Sequence, residues 1–186
     1  IGVVDLSIPI IVDYAAACLS NFVCGANEEG KHLLLVGSEE PRKRLDFAIQ
    51  SCRGLKGVIV HKIGAESDSD AERYLKALAA THGIDMRWRG RVSEMDLIAA
   101  WQHADALLFP SIAEGFGYPP LEAMAGGCRA LVADAGSANE IPPASYLQPI
   151  DDPQVWKQAI KNLPTGRCQE SLNRAEQFSK EKLNRF

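Results

Sequence analysis

Short apolar runs alternate with segments of helical period along most of the chain. The runs are Leu33-Leu34-Leu35-Val36, residues 57–63 (Gly-Val-Ile-Val-His-Lys-Ile), residues 84–92, Ala106-Leu107-Leu108-Phe109, residues 129–133 and residues 145–148. Continuous apolar stretches of this length predict strands covered on both faces. Between them lie helical patterns: Leu45, Ala48, Ile49 and Cys52; Tyr74, Leu75, Leu78 and Ala79, stopped by His82-Gly83; and Leu97, Ile98, Trp101 and Ala104, opened by Ser93 as N-cap with acid in the first turn. Leu121-Glu122-Ala123-Met124 begins a fourth helix, residues 136–141 cap a short one, and residues 155–163 and 170–186 are the last two, separated by Pro164-Thr165-Gly166. Ahead of all this, residues 1–11 are expected to be extended, 13–22 a short helix and 21–31 a loop. Repeated strand–helix units imply right-handed crossovers and an α/β fold, a doubly wound and mostly parallel sheet with its ligand beyond the carboxyl ends of the strands.

Composition narrows the partners. A chain of 186 residues suits one domain, and a net charge of -4 with no basic excess argues against nucleic acid. Five widely spaced cysteines, Cys18, Cys24, Cys52, Cys128 and Cys168, form neither a zinc pattern nor a disulfide framework, and a reducing, cytoplasmic setting follows. The apolar stretch 8–19 is broken by Pro9 and Asp13, too short to span a bilayer and without the flanks of a signal peptide.

The chemistry concentrates in residues 108–124. An apolar run breaks at Pro110-Ser111, a glycine turn lies between Glu114 and Glu122, and a helix follows. Such a helix start presents unpaired N–H groups and a positive dipole end, which suits a phosphate. Gly115 and Gly117 permit close backbone approach and positive φ; a tight structural turn with a solvated Glu114 is the alternative. Two carboxylates alone would also fit glycoside hydrolysis. Arg42-Lys43-Arg44 falls at a predicted helix start, where cations oppose the dipole, and so answers either a ligand phosphate or only solvent. No Gly-x-Gly-x-x-Gly follows the first strand and no Walker loop occurs, which disfavours nicotinamide and P-loop chemistry. Asp68-Ser69-Asp70 resembles a metal signature but sits before a helix, where acids cap; Arg87, Arg89 and Arg91 would share one strand face; and His32, His61, His82 and His103 take structural duty.

Taken together, Val36-Gly37-Ser38, Pro41-Arg42-Lys43, Gly90-Arg91-Val92-Ser93, Phe109-Pro110-Ser111, Glu114-Gly115-Phe116-Gly117, Pro120-Leu121-Glu122-Ala123-Met124-Ala125 and Gly127 resemble the C-terminal domain of retaining GT-B glycosyltransferases of the group 1 family. The resemblance implies the Rossmann-like half of a GT-B fold. Residues 31–186 would bind a nucleoside-diphosphate sugar, residues 1–30 would be an interdomain segment, and an acceptor-binding N-terminal domain would lie outside this chain. It also implies a metal-independent, retaining transfer of a hexose, with a leaning to mannose, onto a glycan or lipid-linked acceptor in bacterial polysaccharide synthesis. The parent enzyme would associate with the membrane periphery, and this domain alone would turn over little.

Carried over by residue, Arg42 and Lys43 would stabilise the diphosphate leaving group and Glu114 would hold the donor sugar. Gly37 and Ser38 would line the site, with Gly115, Phe116, Gly117, Tyr118 and Leu121 along sugar and phosphate, Glu122 on the ribose, and Arg91 and Val92 against the base. Ser38 and Arg44 stand where many relatives carry a basic residue and an Asn, and Cys128-Arg129 replaces a small residue and proline. A non-catalytic nucleotide-binding module and a nucleotide-sugar epimerase of the same architecture are the competing readings.

Overall fold

The strands form where both sides of an apolar run can be covered. In the computed structural model, which describes residues 29–65 and 69–178, strands β1 (Lys31–Val36), β2 (Val58–Ile63), β3 (Asp85–Trp88), β4 (Ala106–Phe109), β5 (Arg129–Ala133) and β6 (Leu147–Gln148) make one parallel sheet in the order β3-β2-β1-β4-β5-β6. Successive residues of one strand feed opposite cores. Leu33, Leu35, Val60, Leu108 and Leu131 join α1 (Leu45–Cys52), α2 (Asp70–Thr81) and α5 (Pro153–Asn162) on one face. Leu34, Ile63, Leu107, Phe109 and Val132 join α3 (Glu94–His103), α4 (Tyr118–Ala125) and α6 (Gln169–Glu176) on the other. This period-two division explains why the strands read as unbroken apolar runs, and it is the doubly wound arrangement expected.

Local chemistry sets the helix ends. Ser93 accepts a hydrogen bond from the Asp96 amide and is the N-cap expected of it, whereas at residues 69–70 the hydroxyl of Ser69, not a carboxylate, caps the helix by accepting from the Glu72 amide. Asp152 caps α5 by accepting from the Gln154 and Val155 amides, and Trp156, fully buried inside that helix, donates its indole N–H to Pro149 O at 2.8 Å while meeting Phe47 edge-on. Two expectations are corrected. The third strand ends at Trp88 rather than running to residue 92, because Gly90 turns the chain at φ 64 and the Gly64 amide bonds its carbonyl. Consequently Arg87, Arg89 and Arg91 do not share one strand face: Arg87 pairs with Asp85, Arg89 reaches the His61 ring, and Arg91 is an exposed loop residue. The short helix expected at residues 136–141 is present as a 3-10 turn, Ser137–Glu140. The expectations for residues 1–28, including the interdomain segment, Cys18 and Cys24, for Asp68, and for the helix beyond residue 178 lie outside the described residues.

At the amino end of the sheet a buried carboxylate ties three segments. Asp105 accepts from the His32 amide at 2.8 Å and from the Gly166 amide at 2.7 Å, and its own amide donates to His32 O. Lys31 beside it closes α5 by donating to the Ile160 and Lys161 carbonyls. Asp105→Ala leaves the buried His32 amide and the part-buried Gly166 amide without this partner and is expected to cost about 1 to 3 kcal/mol in chemical denaturation.

Candidate functional site

The strand order reverses between β1 and β4, and the crevice at their carboxyl ends is where a doubly wound sheet leaves room for a ligand. Two loops close on each other there. Residues 37–44 leave β1 through Gly37 at φ 130, whose amide donates to Ile63 O, then turn through a single 3-10 turn at Pro41–Lys43. Residues 110–117 leave β4 and enter α4. The Ile112 amide donates to Arg42 O at 3.0 Å, so the second loop hydrogen-bonds the backbone that carries the first loop's cations.

The side chains converge on Glu114. Arg42 Nη1 is 2.9 Å from its Oε2, Lys43 Nζ is 3.3 Å from Oε1, and the Ser111 hydroxyl donates to Oε1 at 2.7 Å. Arg42 also donates to Glu40, which the Ser38 hydroxyl holds from its other oxygen at 2.6 Å, and to Ala113 O. Ser137 donates toward the Glu114 and Gly115 carbonyls, fixing the backbone behind the carboxylate. Burial pushes the Glu114 carboxyl up, but Ser111, Arg42 and Lys43 outweigh it and hold it below the ordinary carboxylate value. Its pairing therefore stabilises the fold above the unfolded carboxylate pKa and is lost as pH falls through the lower folded value.

Glu122 sits in the opposite condition. It is the fifth residue of α4, and burial, followed by the charge of Glu94 on α3, raises its pKa. Among the described residues no hydrogen bond or ion pair reaches its side chain. Such a carboxylate is poised to accept hydroxyl donors from a ligand. Between the two acids, Gly117 is the N-cap at φ 95, and with Pro119 and Pro120 next the helix start keeps few N–H groups, those of Gly117 and Tyr118 foremost. Leu121 buries its side chain in the core, while Phe116 packs against Tyr118 and Phe178, with Tyr118 partly exposed. A third loop, carrying Arg91 and Val92, joins the same end of the sheet because the Gly64 amide donates to Gly90 O and the Gly37 amide to Ile63 O.

The structure thus gathers Gly37, Ser38, Arg42, Lys43, Glu114 and residues 115–118 around one crevice, with Glu122 within α4 and Arg91 and Val92 on the neighbouring loop. It corrects two points of detail. The basic triplet does not occupy the first turn of α1: Pro41 starts a separate 3-10 turn, Arg44 adopts φ 49 as the N-cap, and α1 begins at Leu45. What the cations answer within the protein is carboxylate, Glu40 and Glu114 for Arg42, Glu114 for Lys43, and Asp151 for Arg44. Gly115 needs no positive φ, and a Cβ there would meet open space, so only Gly117 is demanded by the turn. Sequence reasoning missed Ser111, Ser137 and Glu40. Ser111 stood inside a quoted motif, but its role depends on the loop geometry. It also missed that His32 and His61, on adjacent strands, share a hydrogen bond at 3.0 Å, with Arg89 donating to His61. Desolvation, then Arg89, lowers His61 to about 4, so its imidazole is neutral and serves the packing of the two strands. Among the described residues no group of three or more His, Cys, Asp and Glu is placed to hold a metal ion, and no helix is long and apolar enough to cross a membrane.

Comparison with known proteins bears on this geometry. Residues 20–182 match the family described as glycosyl transferases group 1. Over 74 residues the chain is 43% identical to the O-antigen chain mannosyltransferase RfbU of Salmonella typhimurium, covering 39% of this chain and 21% of that protein. Over 142 residues it is 29% identical to the serotype-specific mannosyltransferase WbdA of Escherichia coli, covering 70% of this chain and 17% of that one. The chain thus spans about a fifth of the length of these relatives. Among solved structures, HepE of Anabaena, in complex with UDP and glucose, superposes with a TM-score of 0.72 at 18% identity over 84% of this chain and 47% of HepE. The apo form of the lipopolysaccharide outer core galactosyltransferase WaaB gives 0.65 at 20% identity, over 87% of this chain and 50% of WaaB. These two likenesses establish the fold as the Rossmann-like half of GT-B enzymes.

The two glycines of the turn separate backbone need from ligand space. A Cβ on Gly117 would lie 2.8 Å from Ala138 Cβ at a left-handed φ, so Gly117→Ala is expected to lose about 2 to 3 kcal/mol in denaturant unfolding. Gly115→Ala is expected to stay within about 0.5 kcal/mol of the parent chain.

Proposed function

The chain belongs to the group 1 glycosyl transferases, and on that premise we propose that its crevice binds a nucleoside-diphosphate sugar as the donor half of a retaining, metal-independent enzyme. The observation that carries this reading is the convergence of Arg42 and Lys43 on Glu114 at the point where the strand order reverses. Two cations held on a short turn, one of them 12% exposed, suit an anion that arrives from outside and displaces part of their carboxylate shell. The diphosphate takes that position. Glu114, freed on one oxygen, holds hydroxyls of the sugar, and its carboxylate keeps Lys43 directed at the bond that breaks.

The chemistry is electrostatic. As the glycosidic bond lengthens, negative charge grows on the departing phosphate, so cations already fixed there stabilise the transition state more than the ground state. A charge developing about 4 Å from a cation in a partly buried site gains up to about 4 kcal/mol, which is about a thousandfold in rate. Glu122 accepts the ribose hydroxyls, the amides of Gly115, Phe116, Gly117 and Tyr118 with the start of α4 lie along phosphate and sugar, Gly37 and Ser38 line the near wall, Leu121 supports it from the core, and Arg91 with Val92 borders the base. The transferred sugar is a hexose, for which mannose is the choice supported by the names of the two curated relatives, and the acceptor is a glycan or lipid-linked glycan. The acceptor is bound by a further, N-terminal domain of the parent enzyme, which works in the cytoplasm at the membrane periphery.

Calorimetric titration of the chain with a panel of nucleoside diphosphates tests the reading: one or more is expected to bind, and a panel without a binder would overturn it. Glu122→Gln is expected to weaken the bound member by about 1.5 to 3 kcal/mol, the worth of hydrogen bonds to a charged acceptor. Because burial raises the Glu122 pKa, its carboxyl takes up a proton at higher pH than an exposed glutamate does, and the neutral form accepts fewer hydrogen bonds. Affinity should therefore fall with pH through a window above the usual carboxylate value. In Glu122→Gln that component of the pH profile should vanish, leaving only the titration of the phosphate.

A further inference from the structure

Lys62 breaks the apolar pattern of β2. Its neighbours on the same side, Val58 and Val60, belong to or pack against the core of α1, α2 and α5, and Lys62 itself is only 2% exposed. Its ammonium lies 2.5 Å from Glu39 Oε1, whose side chain is also nearly buried at 7% exposure, and 5.7 Å from the centre of the Trp88 ring. Trp88 has a second cation near it, Lys76, which pairs with buried Glu72. Burying two charges is costly, and two apolar side chains in the same volume would stabilise the fold at least as well. What an ion pair adds over apolar packing is direction: it fixes one atom of a loop against one atom of a strand.

The place where this direction is applied is informative. The backbone of Lys62 accepts from the Arg89 amide at 2.9 Å and so sets the register of the loop that carries Arg91 and Val92. Its side chain holds Glu39, one residue after Ser38 and three before Arg42. Between the two loops Gly64 is packed so closely that a Cβ would stand 2.3 Å from Gly37 O, and the Gly37 amide bonds the carbonyl of Ile63 next to Lys62. One residue therefore registers both loops, by its carbonyl on one side and its ammonium on the other. Arg42 and Lys43 follow Glu39 on a turn that is also anchored in the crevice by Glu40, Glu114, the Ser111 hydroxyl and the backbone of residues 112–113. A diphosphate that took over Glu114's partners would loosen that side, and the Lys62–Glu39 pair would remain.

We infer that Lys62 and Glu39 are positioning residues for the diphosphate, a buried clamp that keeps Arg42 and Lys43 in place when donor displaces their carboxylate partners; this rests on the donor-site reading above. The clamp bears on the phosphate end of the ligand, so it separates from a general structural role by what it leaves unchanged. In the full chain, Lys62→Met/Glu39→Gln removes both charges together and strands neither, so cooperative folding is retained. Two measurements follow. Hydrogen exchange without ligand is expected to quicken about tenfold at the amides of residues 38–44, with the amides of α5 unchanged. Affinity for the nucleoside diphosphate is expected to fall about tenfold, with affinity for the matching nucleoside held within about twofold. Wild-type exchange in residues 38–44, or an equal loss for nucleoside and diphosphate, overturns the clamp. If the wild-type chain binds no nucleotide, the donor-site reading fails separately; exchange then decides whether the pair holds the loop, and unchanged exchange refutes it.

Discussion

Glu114 holds two cations that would otherwise repel each other across a narrow turn. Arg42 and Lys43 are neighbours on a 3-10 turn, and the fold gains nothing from aiming both at one crevice unless something anionic stands between them. Within the chain that anion is a carboxylate, itself oriented by Ser111 from the side and by Ser137 from behind. On the donor-site reading proposed above, the arrangement preorganises the cations, so little reorganisation is left for the moment when charge develops. The carboxylate is stabilised in its ionised form by the same contacts, so it keeps its charge to lower pH than an ordinary glutamate.

Everything around this set serves to bring two loops within reach of each other. A parallel sheet places all its carboxyl ends on one edge, and a reversal of strand order opens a crevice there that no crossover helix fills. Tight packing between the loops follows from glycines at Gly37, Gly64 and Gly90, each at positive φ, whose amides and carbonyls run from one loop to the next. At the far edge Asp105 closes the sheet onto the segment between α5 and α6. The site end is built from charged pairs and glycines, and the opposite end from a carboxylate bound to backbone amides.

Much of this was legible in the amino-acid pattern, for physical reasons that differ by element. Strands β1, β4 and β5 announced themselves because burial on both faces leaves no polar residue to interrupt them, and the helix cap at Ser93 because a short hydroxyl before an acidic turn has little else to do. The third strand was read too long, since arginines alternate past Trp88 in a way that looks extended until Gly90 turns the chain. Arg42, Lys43 and Glu114 were legible as candidates from their local setting, but not as partners of one another. Their mutual contact joins residues 71 or 72 positions apart, a separation that local periodicity does not carry. Ser137, the His32–His61 pair and the Lys62–Glu39 pair were illegible for the same reason. Each depends on which strands and loops become neighbours, and Lys62 in particular looks like a misplaced charge until Glu39 is seen to meet it.

The central claim is one of place: the crevice between the β1 and β4 loops, and no other surface, receives the diphosphate. Backbone amide chemical shifts followed during titration with a nucleoside diphosphate test it most directly. Shifts confined to Gly37, Ser38, residues 90–92 and residues 115–118, with Leu55, Gly57 and Gly83 at the opposite end of the sheet unmoved, are the predicted result. Perturbations centred on residues 55–57 and 83–85, with the amides of residues 115–118 unchanged, would contradict it.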